Sequence, residues 1–179
     1  MSDAISRFRG LAGAGWFCAC GLPLETSDRA DARAYLDALG VHTAVPVEPV
    51  ASWEHAERLI RNPAWDMTWW EREESERRSL LVRVVECLGE PAAMETLGLE
   101  IGVDHEIIHG AATVAAARAG VADAAILRAA AGAASMAAHG FALARLAEAG
   151  RSHVFVRKYA LFEAGRWPLG IVGGAFHLF

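Results

Sequence analysis

Apolar positions recur at three- and four-residue intervals through the middle of the chain. The clearest case is DMTWWEREESERRSLLVRVVECLG, which predicts a helix from about residue 68 to Gly89 with a stripe through Trp70, Glu74, Arg77, Leu81, Val84 and Leu88. Thr68 and Glu71 form a capping-box pattern at its start, and Gly89 suits its C-terminal end. Glu73 with Arg77 and Glu74 with Arg78 are spaced for ion pairs along the helix. Pro91 then suits the first turn of a second helix, whose stripe runs through Met94, Leu97, Ile101, His105, Ile108, Ala112, Ala115 and Ala119. Gly98 and Gly102 are points where that helix could break. Asp123 can cap a third long helix reaching about Ala149. Half of the residues from Ala111 to Gly150 are alanine, which lets these helices pack closely.

Shorter elements flank this region. LETSDRADARAYLDALG reads as a helix capped by Ser27 or Asp28 and closed by Gly40. VHTAVPVEPV contains Pro46 and Pro49 and reads as an extended connector or an edge strand. Ser52 can cap the helix WEHAERLIRN, which stops before Pro63. The tail changes character. It is rich in aromatic and β-branched residues, with turn signals at Ala164-Gly165 and Gly173-Gly174, and Pro168 suits an edge or a bulge. The expectation is a mostly α, α+β domain, with an antiparallel helical bundle followed by an antiparallel β-meander of about three short strands. One domain spans 1–179, with an N-terminal segment (1–50), the bundle (51–150) and the meander (151–179).

Composition narrows the function classes. A net charge of −5 argues against general binding to nucleic acid or to an anionic membrane surface, since both need a basic face. Lys158 is the only lysine; every other cationic side chain is arginine. Cys18, Cys20 and Cys87 cannot all pair, so they read as small buried apolar residues in a reducing, cytoplasmic compartment. Arg7 and Arg9 precede LAGAGWFCACGLPL, read here as a structural segment rather than a leader. The most apolar long stretch, Val121 to Ala147, is interrupted by Asp123, Arg128, His139 and Arg145, so no membrane span is expected.

The segment DHEIIHG carries the strongest chemical pattern, His105-Glu106-Ile107-Ile108-His109. Two histidines one helical turn apart can hold one zinc ion, with the glutamate between them as base for the metal-bound water. These five residues resemble the zincin peptidase signature, which implies His105 and His109 as ligands and Glu106 as the base. The extended metzincin pattern is not followed, because Ala112 and Ala115 stand where glycine and histidine belong. Antiparallel packing of the long helices offers a different set. With a turn near residue 90, His105 lies level with about Ser75 and His109 with about Glu71. With the next turn near 121, His105 lies level with about Ala138, beside His139. Carboxylates and histidines projecting inward from facing helices are how bundles build metal sites.

The leading expectation is a bundle protein with a buried His/Glu site, binding zinc, iron or manganese for oxidative or hydrolytic chemistry on a small molecule. His105, His109 and His139 are the expected ligands, Glu71 or Glu74 a ligand or base, and Glu106 a catalytic support residue behind the ligands. A non-catalytic homo-oligomeric assembly protein is the alternative, and a zincin-like peptidase the third. Trp65, Trp69 and Trp70 cluster at a helix start, where they serve either a pocket or a core edge. AGRWPLG reads as turn chemistry. There is no phosphate-binding glycine loop and no G-x-S-x-G elbow.

Overall fold

The computed structural model describes residues 14–41 and 44–179, without the side chains of 99–105. In chain order the elements are α1 (Thr26–Ala38), β1 (Val47–Pro49), α2 (Trp53–Ile60), α3 (Met67–Leu88), α4 (Glu90–Arg118), α5 (Ala124–Leu146), α6 (Val154–Glu163), β2 (Pro168–Val172) and β3 (Ala175–Leu178). The protein is α+β and mostly helical, as the apolar spacing implies.

Local chemistry sets most boundaries. Ser52 accepts the amide of His55 at 3.2 Å and Asp123 that of Ala125 at 2.6 Å, so both cap as expected. Gly40 and Gly89 sit at φ +75° and +78°, a backbone region closed to most side chains, and end α1 and α3. Helix α3 starts earlier than its Thr68/Glu71 pattern suggests. Asp66 takes the cap, accepting the Thr68 amide at 2.8 Å and hydroxyl at 2.6 Å. At α1, Asp28 acts from inside the first turn, accepting the Glu25 amide at 2.8 Å. Helix α4 runs unbroken through Gly98 and Gly102.

The tail departs from the expected meander in two ways. Residues 154–163 form α6, because Val154, Phe155, Lys158, Tyr159, Leu161 and Phe162 fall on its buried side. The spacing is helical although valine and the aromatics favour strands; burial against neighbouring helices overrides that preference. The third strand comes instead from the proline-flanked connector. The sheet order is β1-β3-β2, with β1 parallel to β3 (Glu48 opposite His177) and β2 antiparallel to it. Strand β1 is an edge, where Pro49 removes no needed donor, and β2 shifts register between Pro168 and Gly170.

Two apolar regions join. Helices α4 and α5 pack lengthwise through Ile108, Ala112 and Ala116 on one and Ile126, Ala130, Ala134 and Ala137 on the other. Around the sheet, Phe17, Trp53, Phe162, Trp167 and Phe179 meet as an aromatic core. Within the apolar run near the N-terminus Trp16 and Phe17 are buried and Leu22 is exposed; Arg7, Arg9 and residues 11–13 lie outside the described residues. Among the described residues, α5 alone is long and apolar enough to cross a membrane, and half of its most apolar window is buried inside the protein. It packs against α3, α4 and α6.

Helix α5 meets α6 where Gly140 faces Phe155. A Cβ at Gly140 would lie 2.5 Å from Phe155 Cδ1 and 2.7 Å from Cγ, near the base of a buried ring that cannot swing aside. Gly140→Ala is therefore expected to destabilise the fold by about 1–3 kcal/mol through overpacking. Alanine's better helix propensity, worth about 1 kcal/mol, only partly offsets this. A urea midpoint equal to or above that of the wild type would show that the α5–α6 contact yields without strain.

Candidate functional site

Helix α3 turns Trp69, Glu73, Leu80 and Val84 inward; Val84 lies on the stripe expected from the sequence, whereas Trp69, Glu73 and Leu80 lie one position before the expected Trp70, Glu74 and Leu81. This shift carries Glu73 into the interior. Its carboxylate meets α6 through Lys158 and α1 through Tyr35. Lys158 Nζ lies 2.6 Å from Glu73 Oε2, and the Tyr35 hydroxyl donates to Glu73 Oε1 at 2.6 Å. Trp69 Nε1 donates to the Tyr35 oxygen at 2.8 Å, and the Lys158 ammonium sits 5.2 Å from the centre of the Trp69 ring. Glu73 is 7% exposed and Lys158 5%. Burial, and next the Glu73 charge and hydrogen bond, push the Tyr35 hydroxyl well above its ordinary pKa, against a smaller opposing effect from the Trp69 donor. Tyr35 is thus a fixed neutral donor.

This network does not end in sealed packing. Glu73 and Lys158 line a cleft of about 400 Å³ together with Trp65, Trp69, Trp70 and Trp167. Ala129, Gly132 and Ala133 of α5 form a small-residue wall, and Ile60, Met136 and the start of β2 complete it. Trp65 and Trp69 pack edge to face, 5.4 Å apart at 84°. Strand β2 makes room for them. Gly170 has φ +114°, and a Cβ there would come within 3.0 Å of Trp69 Cζ3 and 3.1 Å of Trp65 Nε1. Trp65 Nε1 also donates to the Leu169 carbonyl at 3.3 Å.

A second buried ion pair is purely internal. Arg166, 3% exposed, gives Nη1 to the carbonyls of Ala19 and Leu22 and Nη2 to the Pro23 carbonyl and to Asp28 Oδ2, all at 2.6–2.8 Å. It fastens the 19–23 loop and the start of α1 to the turn before β2.

The His/Glu set falls elsewhere. Glu71 is exposed on α3, and Glu106 and His109 are exposed on α4. The side chain of His105 lies outside the described residues. His139, half-buried on α5, feels the Glu74 charge. Desolvation lowers the His139 pKa most, Arg77 lowers it further, and Glu74 opposes both. Glu74 itself is held by Arg77, with Nε 2.9 Å from Oε2, and by Arg78 at 3.5 Å. These hydrogen bonds and charges keep its carboxyl below the usual range. The expected Glu74–Arg78 pair therefore forms. Arg77 takes Glu74 rather than Glu73, because Glu73 points inward. Among the described residues, no three His, Cys, Asp or Glu side chains converge as metal ligands. Cys18 and Cys87 are exposed thiols rather than buried ones, and burial pushes the Cys20 thiol up to about 12.

Sequence reasoning assigned no role to Glu73 beyond a surface pair, nor any to Lys158 or Tyr35. The available signal was the lone lysine in an arginine-rich chain, together with the tryptophans at the start of α3. Fold and cleft together define a small α+β protein with a tryptophan-walled cleft ending in a buried Glu–Lys–Tyr network. No protein-family model, curated protein or solved structure matches the chain.

Proposed function

We propose that the protein binds a largely apolar, planar small molecule in this cleft, with a carbonyl-type acceptor set against Lys158. One observation carries the reading: two charged side chains are almost fully withdrawn from water yet line an open cleft with tryptophan walls. The volume suits a small organic ligand, and apolar walls with a few placed polar groups are the usual make-up of such sites. Glu73 and Lys158 neutralise each other, so the ligand needs no net charge. An ammonium has three N–H groups, and only one meets Glu73, so Lys158 retains donor capacity for a ligand oxygen. Exposed thiols at Cys18 and Cys87 fit a reducing, cytoplasmic setting. Of the divalent-metal set His105, His109, His139, Glu71 and Glu74, the Glu74 carboxylate is already occupied by Arg77 and Arg78.

Titration with 2-naphthamide, a neutral planar probe with a carbonyl acceptor, tests the proposal through tryptophan fluorescence. Saturable quenching is expected. Trp70 stands at the cleft rim and is 41% exposed, so its loss should leave the fold intact. Trp70→Ala is expected to weaken binding about tenfold, equivalent to about 1.4 kcal/mol of lost aromatic contact. Quenching that never saturates, or equal affinity in Trp70→Ala, would remove the cleft from consideration.

A further inference from the structure

Lys158 is the only lysine among the 17 Lys and Arg residues of the chain, and among the described residues it is the one Lys or Arg that lines the cleft. If its task were only to neutralise Glu73, arginine would serve better. A guanidinium offers a planar fork to a carboxylate and holds its charge under all ordinary conditions. What lysine adds is the ability to lose a proton and become a nucleophilic amine. The surroundings fit that use. Nζ is 2.6 Å from a carboxylate oxygen able to take the proton, and tryptophan rings and alanines line the adjoining cleft. Tyr35 holds the other carboxylate oxygen and so fixes the direction from which Glu73 meets the amine.

We infer that Lys158 condenses with the carbonyl of an apolar aldehyde or ketone bound in the cleft, forming an imine; this rests on the binding reading above and names its substrate class. The ammonium passes a proton to Glu73 Oε2. The amine lone pair forms the C–N bond, and the carbonyl π pair moves to oxygen, which takes the proton held by Glu73. The carbinolamine nitrogen gives its remaining excess proton to Glu73, which delivers it to the hydroxyl. Water leaves, and the C=N bond replaces C=O. Atoms and charge balance with no oxidant or reductant. The apolar walls hold the carbonyl compound beside the amine.

The test uses the full chain with two carbonyl probes, 2-naphthaldehyde and the smaller propanal, and sodium cyanoborohydride to reduce any imine to a stable amine. Peptide mapping by mass spectrometry reads the labelling rate at Lys158. The reference is the same residue in the chain unfolded in guanidinium. Folded protein is expected to label at Lys158 about tenfold faster than unfolded protein, through binding beside the amine. 2-Naphthamide should suppress the excess rate. Glu73→Gln keeps one acceptor oxygen in place of two and has no base, and should slow labelling about tenfold or more. Slower labelling in the folded state with both aldehydes overturns the inference and leaves Lys158 a structural ion-pair partner. Undiminished labelling in Glu73→Gln overturns Glu73 as the proton acceptor. If 2-naphthamide still binds in the Trp70-dependent manner while Lys158 stays unlabelled, the imine falls and the binding reading stands.

Discussion

Arg166→Leu is expected to lose about 3–5 kcal/mol of folding stability, the range for removing one partner of a buried ion pair. The guanidinium makes four hydrogen bonds, to the carbonyls of Ala19, Leu22 and Pro23 and to Asp28. Leucine would leave the Asp28 carboxylate buried with only the Glu25 amide as a donor. It would also free a loop whose neighbours, Trp16 and Phe17, belong to the aromatic core. Arg166→Lys keeps the charge but cannot reach four acceptors at once, so it should recover only part of the loss. Chemical denaturation gives the free energy, and limited proteolysis around residues 17–24 reports the loop directly. A loss under about 1 kcal/mol, typical of an exposed pair, would show that the clamp is solvated and contributes little.

The same residue shows where local reading stops. AGRWPLG does make a turn, as its composition implies, with Gly165 at φ +84°. The partners of Arg166 lie more than 130 residues earlier, and nothing near the turn names them. The caps at Ser52 and Asp123 and the stops at Gly40 and Gly89 were legible because donor, acceptor and backbone constraint sit within a few residues of each other. The pairing of β1 with β3 was not, since it joins a proline-flanked connector to the last strand across the whole chain. Strand-favouring residues at Val154, Phe155, Val156 and Tyr159 likewise pointed away from α6, whose helical spacing is evident once burial is known.

The site was legible in pieces. The tryptophans of α3 and the singular lysine are visible in the sequence, but what joins them is the face that α3 presents. Two stripes compete on this helix. One passes through Trp70 and Glu74, the other through Trp69 and Glu73, and both end in aliphatic residues. Packing selects the second, which converts an apparent surface pair, Glu73 with Arg77, into a buried acceptor for Tyr35 and Lys158. The level arithmetic turns on His105, whose side chain lies outside the described residues; of the groups it set beside His105, the Glu74 charge reaches His139. It could not foresee that Arg77 and Arg78 would claim Glu74.

That network predicts an unequal response to removing its members. Glu73→Leu strands two donors, the Lys158 ammonium and the Tyr35 hydroxyl, whereas Lys158→Met leaves Glu73 still accepting from Tyr35. Both changes are expected to destabilise by about 3–5 kcal/mol, with Glu73→Leu at the upper end. The double variant should lose about 2–3 kcal/mol less than the sum, because it leaves no unpaired charge in the interior. It should not regain wild-type stability. Tyr35 still receives the Trp69 donor but has nowhere to donate, a deficit of about 1–3 kcal/mol. Urea denaturation of the three variants supplies the cycle. Additive losses would mean that Glu73 and Lys158 are solvated independently, against their burial. Equal single losses would mean that Tyr35 draws no stability from Glu73, against the 2.6 Å bond between them. The aldehyde chemistry depends on that coupling, because Glu73 can relay the Lys158 proton only if the two groups share one geometry throughout the folded ensemble.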